Sequence, residues 1–72
     1  MNKSGLFFEM HDVYVIATAL RYLIGEIEAG RAAFFSGRGM DTTGFVDVNA
    51  SKVLEEIESN RTFKRYEKYG HE

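Results

Sequence analysis

The segment FFSGRGMDTTG at residues 34–44 combines three glycines with one arginine, as expected of a loop that contacts a phosphate group. Such loops work because consecutive backbone N–H groups converge on the anion at the start of a helix. The glycines match neither fingerprint of nucleotide-binding loops, since no lysine and hydroxyl pair follows them and Thr42 stands where a third glycine is required. The segment is therefore predicted to be a connector, with Arg38 exposed at its tip to meet a phosphate or a partner carboxylate.

The C-terminal segment 61–72 is the basic part of an otherwise acidic chain. It holds four basic and two acidic residues, whereas residues 1–60 hold five basic and nine acidic residues. Cations that alternate with aromatic side chains are typical of sites that bind single-stranded nucleic acid or a nucleotide. The alternative is a solvated arm whose aromatic rings pack on the domain or on a partner subunit. The residues of this arm predicted to contact a partner or an anion are Arg61, Lys64, Arg65, Tyr66, Lys68 and Tyr69.

Residues that could support catalysis are few and poorly placed. Glu9, His11 and Asp12 lie close together in sequence, but neighbours two residues apart diverge on a helix. An extended backbone would instead place Glu9 and His11 on one face. Because no nucleophile, base and orienting group recur together, we expect no enzyme and no catalytic residue.

Metal and cofactor sites are also not expected. The chain has no cysteine and two histidines that lie far apart, which excludes thiolate sites and a structural zinc site. Asp41 and Asp47 resemble part of a calcium loop, but the alternating acidic pattern and the closing glutamate are missing. The sequence thus predicts neither a bound metal nor a cofactor.

The clearest predicted element is a helix at about residues 10–30. Its apolar positions recur at spacings of three and four, which is typical of one buried helix face. Asp12 is the predicted N-cap, and Gly30 is the predicted stop because glycine enters the left-handed conformation without strain. The predicted core face consists of Val13, Ile16, Leu20, Ile24 and Ile27.

The opposite side of this helix has a second pattern of mostly small residues. Val15, Tyr22 and Gly25 are its predicted subunit contacts, since small residues let another helix approach closely and an interior glycine otherwise costs about 1 kcal/mol. In the alternative, residues 31–72 cover both faces. The size of the chain favours a homodimer or higher oligomer, because a domain of 72 residues buries only about 60% of its unfolded surface.

The second predicted helix covers residues 49–60. Asn49 is its predicted N-cap, and Val48 is expected to pack on Val53 as a hydrophobic staple. Val53, Leu54 and Ile57 complete the predicted core. The connector between the helices is open to two interpretations, since segments 31–36 and 44–48 have residues that favour a short β-hairpin while Ala32 and Ala33 favour a helix.

These patterns predict a single small domain at residues 1–72, mainly α-helical with two helices, with an α+β fold as the alternative. No apolar run is long enough to span a membrane and no secretory segment is evident, so a cytoplasmic location is expected. The favoured function is an interaction protein, of a size also found among phage and mobile-element host modulators, that regulates or inhibits a larger macromolecule. The alternative is a binder of a nucleotide or nucleic acid through Arg38, the glycine-rich loop and the basic arm.

Overall fold

The computed structural model describes residues 8–70, which form three α-helices and a closing π-helical turn. The helices are α1 at Met10–Glu28, α2 at Thr43–Glu58 and α3 at Arg61–Arg65, and the π-helical turn covers Tyr66–Gly70. The described residues form no β-strand, and their single β-bridge joins Phe35 to Asp41. The prediction of a mainly α-helical domain is confirmed, while the hairpin between 31–36 and 44–48 and the α+β alternative are wrong.

The first helix agrees with the predicted range of about 10–30 at both ends, but its N-cap is not the predicted residue. Gly30 has φ 78° and donates to the Ile27 carbonyl at 3.0 Å, while the Arg31 N–H donates to the Glu26 carbonyl at 2.8 Å, which completes a Schellman stop. At the other end the N-cap is Glu9, whose N–H donates to Oδ2 of Asp12 at 3.0 Å. Asp12 therefore accepts a bond from the cap residue, and its prediction as the N-cap itself is wrong.

The second helix begins six residues before the predicted start at Asn49. Asn49 lies inside α2 and donates its side-chain amide to the Phe45 carbonyl at 2.8 Å, so it is not an N-cap. Val48 is helical and 59% exposed, which rules out the predicted staple. The β-propensity of segment 45–48 is overridden because Val46 continues a covered helical series at spacings of four, with Ala50 buried and Val46 and Leu54 half-buried.

The core lies where α1 packs on α2 and where α3 contacts both helices. Among residues 8–70, the buried apolar side chains are Ala17, Ala50 and Phe63. Val53 is 44% exposed, so its prediction as a core residue is wrong. The other predicted core positions are half-buried: Val13, Ile16, Leu20, Ile24, Ile27, Leu54 and Ile57.

The chain changes direction between α2 and α3, which brings Phe63 into the core. Asn60 is extended at φ −76° and ψ 125°, and its side-chain oxygen accepts the Phe63 N–H at 2.9 Å. A continuous helix would have presented Asn60 or Arg61 to the core instead. The predicted end of the second helix near Asn60 is consistent with this break, and the basic arm is helical over its described residues.

A bridging arginine holds the C-terminal segment on the other helices. Nη2 of Arg21 lies 2.9 Å from Glu58 of α2 and 3.1 Å from Glu67 of the π-helical turn. The hydrogen bond to Glu58 is the largest cause that raises the pKa of Arg21 above its ordinary value. These side chains are part-exposed, so each pair contributes at most about 1 kcal/mol, and the bridge serves mainly to set the position of the segment.

Candidate interaction site

The outer face of α1 is exposed along its length. Val15 is 63% exposed and Tyr22 is 71% exposed. Gly25 is also exposed, and a Cβ atom placed there would meet no other atom within 4 Å. Residues 31–70 thus do not cover the face that carries the predicted subunit contacts.

The glycine-rich connector forms a compact loop around Ser36. The Ser36 N–H donates to the Met40 carbonyl at 2.8 Å, the Gly39 N–H donates to the Ser36 carbonyl at 2.9 Å, and Gly39 has φ 82°. Arg38 therefore lies at the exposed tip of a hydrogen-bonded turn, as predicted. Phe35 of this loop is 62% exposed, so its ring does not anchor the loop on the core.

The loop leads directly into the N-terminus of α2, where the chain supplies its own anion. Oδ1 of Asp41 accepts the backbone N–H of Thr43 at 2.9 Å. This bond, followed by one from the Thr43 hydroxyl, lowers the pKa of Asp41 below its ordinary value of 3.8. A phosphate at this helix end would compete with the Asp41 carboxylate and be repelled by it.

We expect Asp41 to stabilise the fold above its unfolded pKa and to lose that effect in acid. A carboxyl group whose folded pKa is lowered contributes fully above the unfolded value, and its contribution falls as the pH drops through the folded value. NMR titration should place the Asp41 midpoint below 3.8. Asp41→Asn should lose less stability than the wild type between about pH 5 and about pH 3, and equal losses in both proteins would contradict this role.

The C-terminal segment presents its cations to solvent while its aromatic residues divide between core and surface. Tyr66 is half-buried with its ring 6.1 Å from that of Tyr14, and a side chain at Gly70 would come within 3.1 Å of the Tyr66 ring. Tyr69 is 72% exposed, with the Lys68 ammonium 5.4 Å from its ring centroid. Of the two tyrosines predicted as free anchors, only Tyr69 presents an open ring. The exposed cations of the segment are Arg61, Lys64, Arg65 and Lys68.

His11 lies between two carboxylates at the start of α1. Its Nδ1 atom is 3.5 Å from Glu9 and its Nε2 atom is 3.3 Å from Asp12. The His11 side chain is 62% exposed, so these contacts are solvated. Within residues 8–70, no three His, Cys, Asp or Glu side chains are grouped to hold a metal ion.

An open acidic groove lies between α1 and α2, and the sequence did not predict it. It encloses about 590 Å³ and has an apolar floor that includes Ile24 and Leu54. Its carboxylates come from Glu28 of α1 and from Asp47, Glu55 and Glu58 of α2, against a single cation, Lys52. The sequence did contain a signal for this groove, namely the acidic residues at positions 47, 55 and 58. Their spacing is helical, but they share one helix only if α2 begins before residue 47.

No protein-family model matches the chain, and no curated protein or solved structure shows significant similarity to it. In residues 8–70 no helix combines the length and apolar character that crossing a membrane requires. The fold and its surfaces therefore define the class: a small, mainly α-helical protein with a short C-terminal helix, an uncovered helix face and an acidic groove.

Proposed function

We propose that this chain is a small oligomeric interaction protein, without catalytic activity of its own, that regulates or inhibits a larger macromolecule by binding its surface. The uncovered outer face of α1 is the observation that carries the proposal. A helix that packs on its own domain by one face and shows Val15 and Tyr22 on the other has apolar surface to offer a second subunit. The cytoplasmic location expected from the sequence belongs to the same proposal.

The small core supports self-association. Three apolar side chains are buried among the described residues, and the largest of these, Phe63, comes from the short third helix. Without cysteine, the chain has no disulfide to compensate for a limited core. Burying the outer face of α1 in a homodimer would add apolar burial at about 25 cal/mol per Å².

Gly25→Leu is expected to weaken association about 5- to 150-fold, because overpacking a helix crossing costs about 1–3 kcal/mol. The same change removes a glycine from an exposed helix interior, so the monomer should gain about 0.5–1 kcal/mol of stability. Sedimentation equilibrium measures the association constant, and chemical denaturation measures the stability.

Gly44→Leu is the matched control, since this glycine of α2 also has open space around its Cβ position. It should leave the association constant unchanged. A wild-type protein that stays monomeric at micromolar concentration would refute the oligomer. An association constant that Gly25→Leu leaves unchanged would refute the crossing at Gly25.

The binding anchors proposed for the regulated partner are Arg38, Arg65 and Tyr69. All three side chains are exposed, and tyrosine and arginine contribute most to interface energetics. Tyr69→Ala is the informative variant, because Tyr66→Ala would also remove the packing against Tyr14. Immobilised wild-type protein should capture a defined partner from the native host, identified by mass spectrometry, and the Tyr69→Ala protein should not. If the wild-type and Tyr69→Ala proteins captured the partner equally well, Tyr69 would not belong to the interface.

A phosphate-bearing ligand, either a nucleotide or a nucleic acid, is the second candidate. The exposed cations of the C-terminal segment and the Lys68–Tyr69 pair favour it, whereas the Asp41 carboxylate at the start of α2 opposes anion binding beside Arg38. A salt series separates the candidates. Binding that weakens steeply and linearly with log[salt] indicates phosphate contacts, and a flat response with loss on Tyr69→Ala indicates a protein interface.

A further inference from the structure

The acidic groove between α1 and α2 carries charge that the described chain leaves unbalanced. Glu58 is paired with Arg21, but Glu28, Asp47 and Glu55 form no ion pair with any residue of the range 8–70. Oδ1 of Asp47 is shielded from solvent and accepts no hydrogen bond from that range. A carboxylate oxygen in this state is costly until a donor reaches the group.

The C-terminal segment has the opposite imbalance, an excess of unpaired positive charge. Arg61, Lys64, Arg65 and Lys68 are exposed, and within the described residues none of them forms an ion pair. Tyr69 lies beside them with 72% of its surface exposed, which adds an apolar group to the cationic face. The chain thus holds both halves of a complementary contact, an acidic groove with an apolar floor and a basic helix face with an aromatic ring.

The two halves are not paired within one molecule, because none of the segment's cations forms an ion pair with a carboxylate of residues 8–70. The C-terminal segment lies against the start of α1, where Met10 and Arg65 line a shallow cleft of about 350 Å³, and Phe63 and the Arg21 bridge hold it there. The groove lies at Ile24 and Glu28, near the other end of α1. Glu58, which lines the groove, and Glu67 of the π-helical turn share Arg21, so the segment borders the groove while its cations leave Glu28, Asp47 and Glu55 unpaired.

We propose that the acidic groove of one copy binds the cationic face of α3 and the π-helical turn of a second copy. In this contact Arg65 approaches Glu55, Lys64 approaches Asp47, and Tyr69 covers the apolar floor at Leu54. The contact is heterologous, so it builds rings or open chains of subunits rather than a twofold dimer. It rests on the self-association proposed above and assigns it a second surface, distinct from the outer face of α1. Because it uses Arg65 and Tyr69, this contact competes with the regulated partner for those two side chains.

Charge reversal at neighbouring positions tests this contact. Glu55 lines the groove, while the neighbouring Glu56 is also exposed but does not line it. Glu55→Lys should weaken self-association about tenfold or more, Arg65→Glu should do the same, and Glu56→Lys should change it less than about twofold. Sedimentation velocity at about 0.05 M and about 0.5 M salt provides the measurement, and the wild-type contact should weaken at the higher salt.

The decisive variant combines both reversals in one chain. Glu55→Lys with Arg65→Glu restores opposite charges across the contact and should recover most of the lost association. Glu56→Lys with Arg65→Glu has the same net charge and should not recover it. Helix content measured by circular dichroism must be equal in all variants, which separates loss of contact from loss of fold.

The proposed contact would be overturned if both double variants recovered self-association. It would also be overturned if Glu55→Lys left self-association unchanged. Loss of association on Gly25→Leu without any response to Glu55→Lys would overturn it while leaving the outer face of α1 as the subunit interface. If Glu55→Lys weakens self-association and Gly25→Leu does not, the groove contact is supported and the outer face of α1 is excluded as the subunit interface.

Discussion

Phe63→Ala is expected to destabilise the protein by about 3–5 kcal/mol, the cost of truncating a buried phenylalanine. Phe63 has no exposed surface and belongs to the helix that contacts both α1 and α2. A chain of 72 residues has about 4–11 kcal/mol of total stability at about 0.05–0.15 kcal/mol per residue. The variant should therefore lie close to its unfolding midpoint at room temperature, with a Tm lowered by at least about 12 °C.

Urea denaturation followed by circular dichroism measures this loss, with Phe45→Ala as the matched control. Phe45 is 70% exposed on α2, so removing its ring should change the stability by less than about 0.5 kcal/mol. Phe63→Leu keeps most of the apolar volume and should cost less than about 1.5 kcal/mol. A loss below about 1 kcal/mol in Phe63→Ala would show that the third helix does not close the core.

Ala17→Leu is expected to have the second large effect, a loss of about 1–3 kcal/mol in the free energy of unfolding. Ala17 has no exposed surface on the face of α1 that packs against the rest of the domain. A larger side chain there must push the neighbouring helices apart or adopt a strained rotamer, because close-packed interiors leave no room for three extra carbons. Ala50→Leu should act in the same direction, since Ala50 is 7% exposed on α2.

Ala19→Leu is the control for Ala17→Leu, because it makes the same change two residues later on the exposed side of α1. Both variants keep a strong helix former, so their difference isolates packing from helix propensity. Thermal and urea unfolding should show a loss for Ala17→Leu and a change within about 0.5 kcal/mol for Ala19→Leu. Equal losses would mean that the contact at Ala17 tolerates a larger residue.

Phe63→Ala and Ala17→Leu test the same core in two ways, the first by removing side-chain volume and the second by adding it. Alanines at buried positions let the main helices come close, and one large aromatic side chain from the third helix fills the remaining space. Half-buried residues such as Leu20 and Ile57 complete the apolar contact without being fully covered. A core of this kind leaves other apolar side chains outside, including Val15, Tyr22 and Phe45.

Sequence patterns identified the parts of the structure that depend on neighbours in the chain. The buried face of α1 follows from its three-and-four spacing, and its stop at Gly30 follows from the left-handed conformation that glycine adopts there. The turn that exposes Arg38 follows from glycine and serine chemistry. The separation of acidic residues in the body from basic residues in the C-terminal segment is likewise visible in the sequence.

Where sequence reasoning went wrong, a contact with a distant segment outweighed a local preference. The Phe45–Val48 segment has strand-forming residues, yet it is helical because Val46 and Ala50 lie on one face against α1. Asn49 is a good capping residue by type, but Thr42 and Asp41 occupy that place earlier in the chain. Helix propensities differ by only a few tenths of a kcal/mol among such residues, which tertiary packing readily exceeds.

The sequence by itself determined the fold class, the first helix, the exposed arginine loop and the segregation of charge. Only the tertiary structure decided that Phe63 closes the core, that Glu28 and Glu55 border one groove, and that the cationic segment packs along α1 and is held by Arg21. The reason is physical: periodicity and capping act over a few residues, whereas the direction of the chain at Asn60 depends on what Phe63 can bury against helices far away in the sequence.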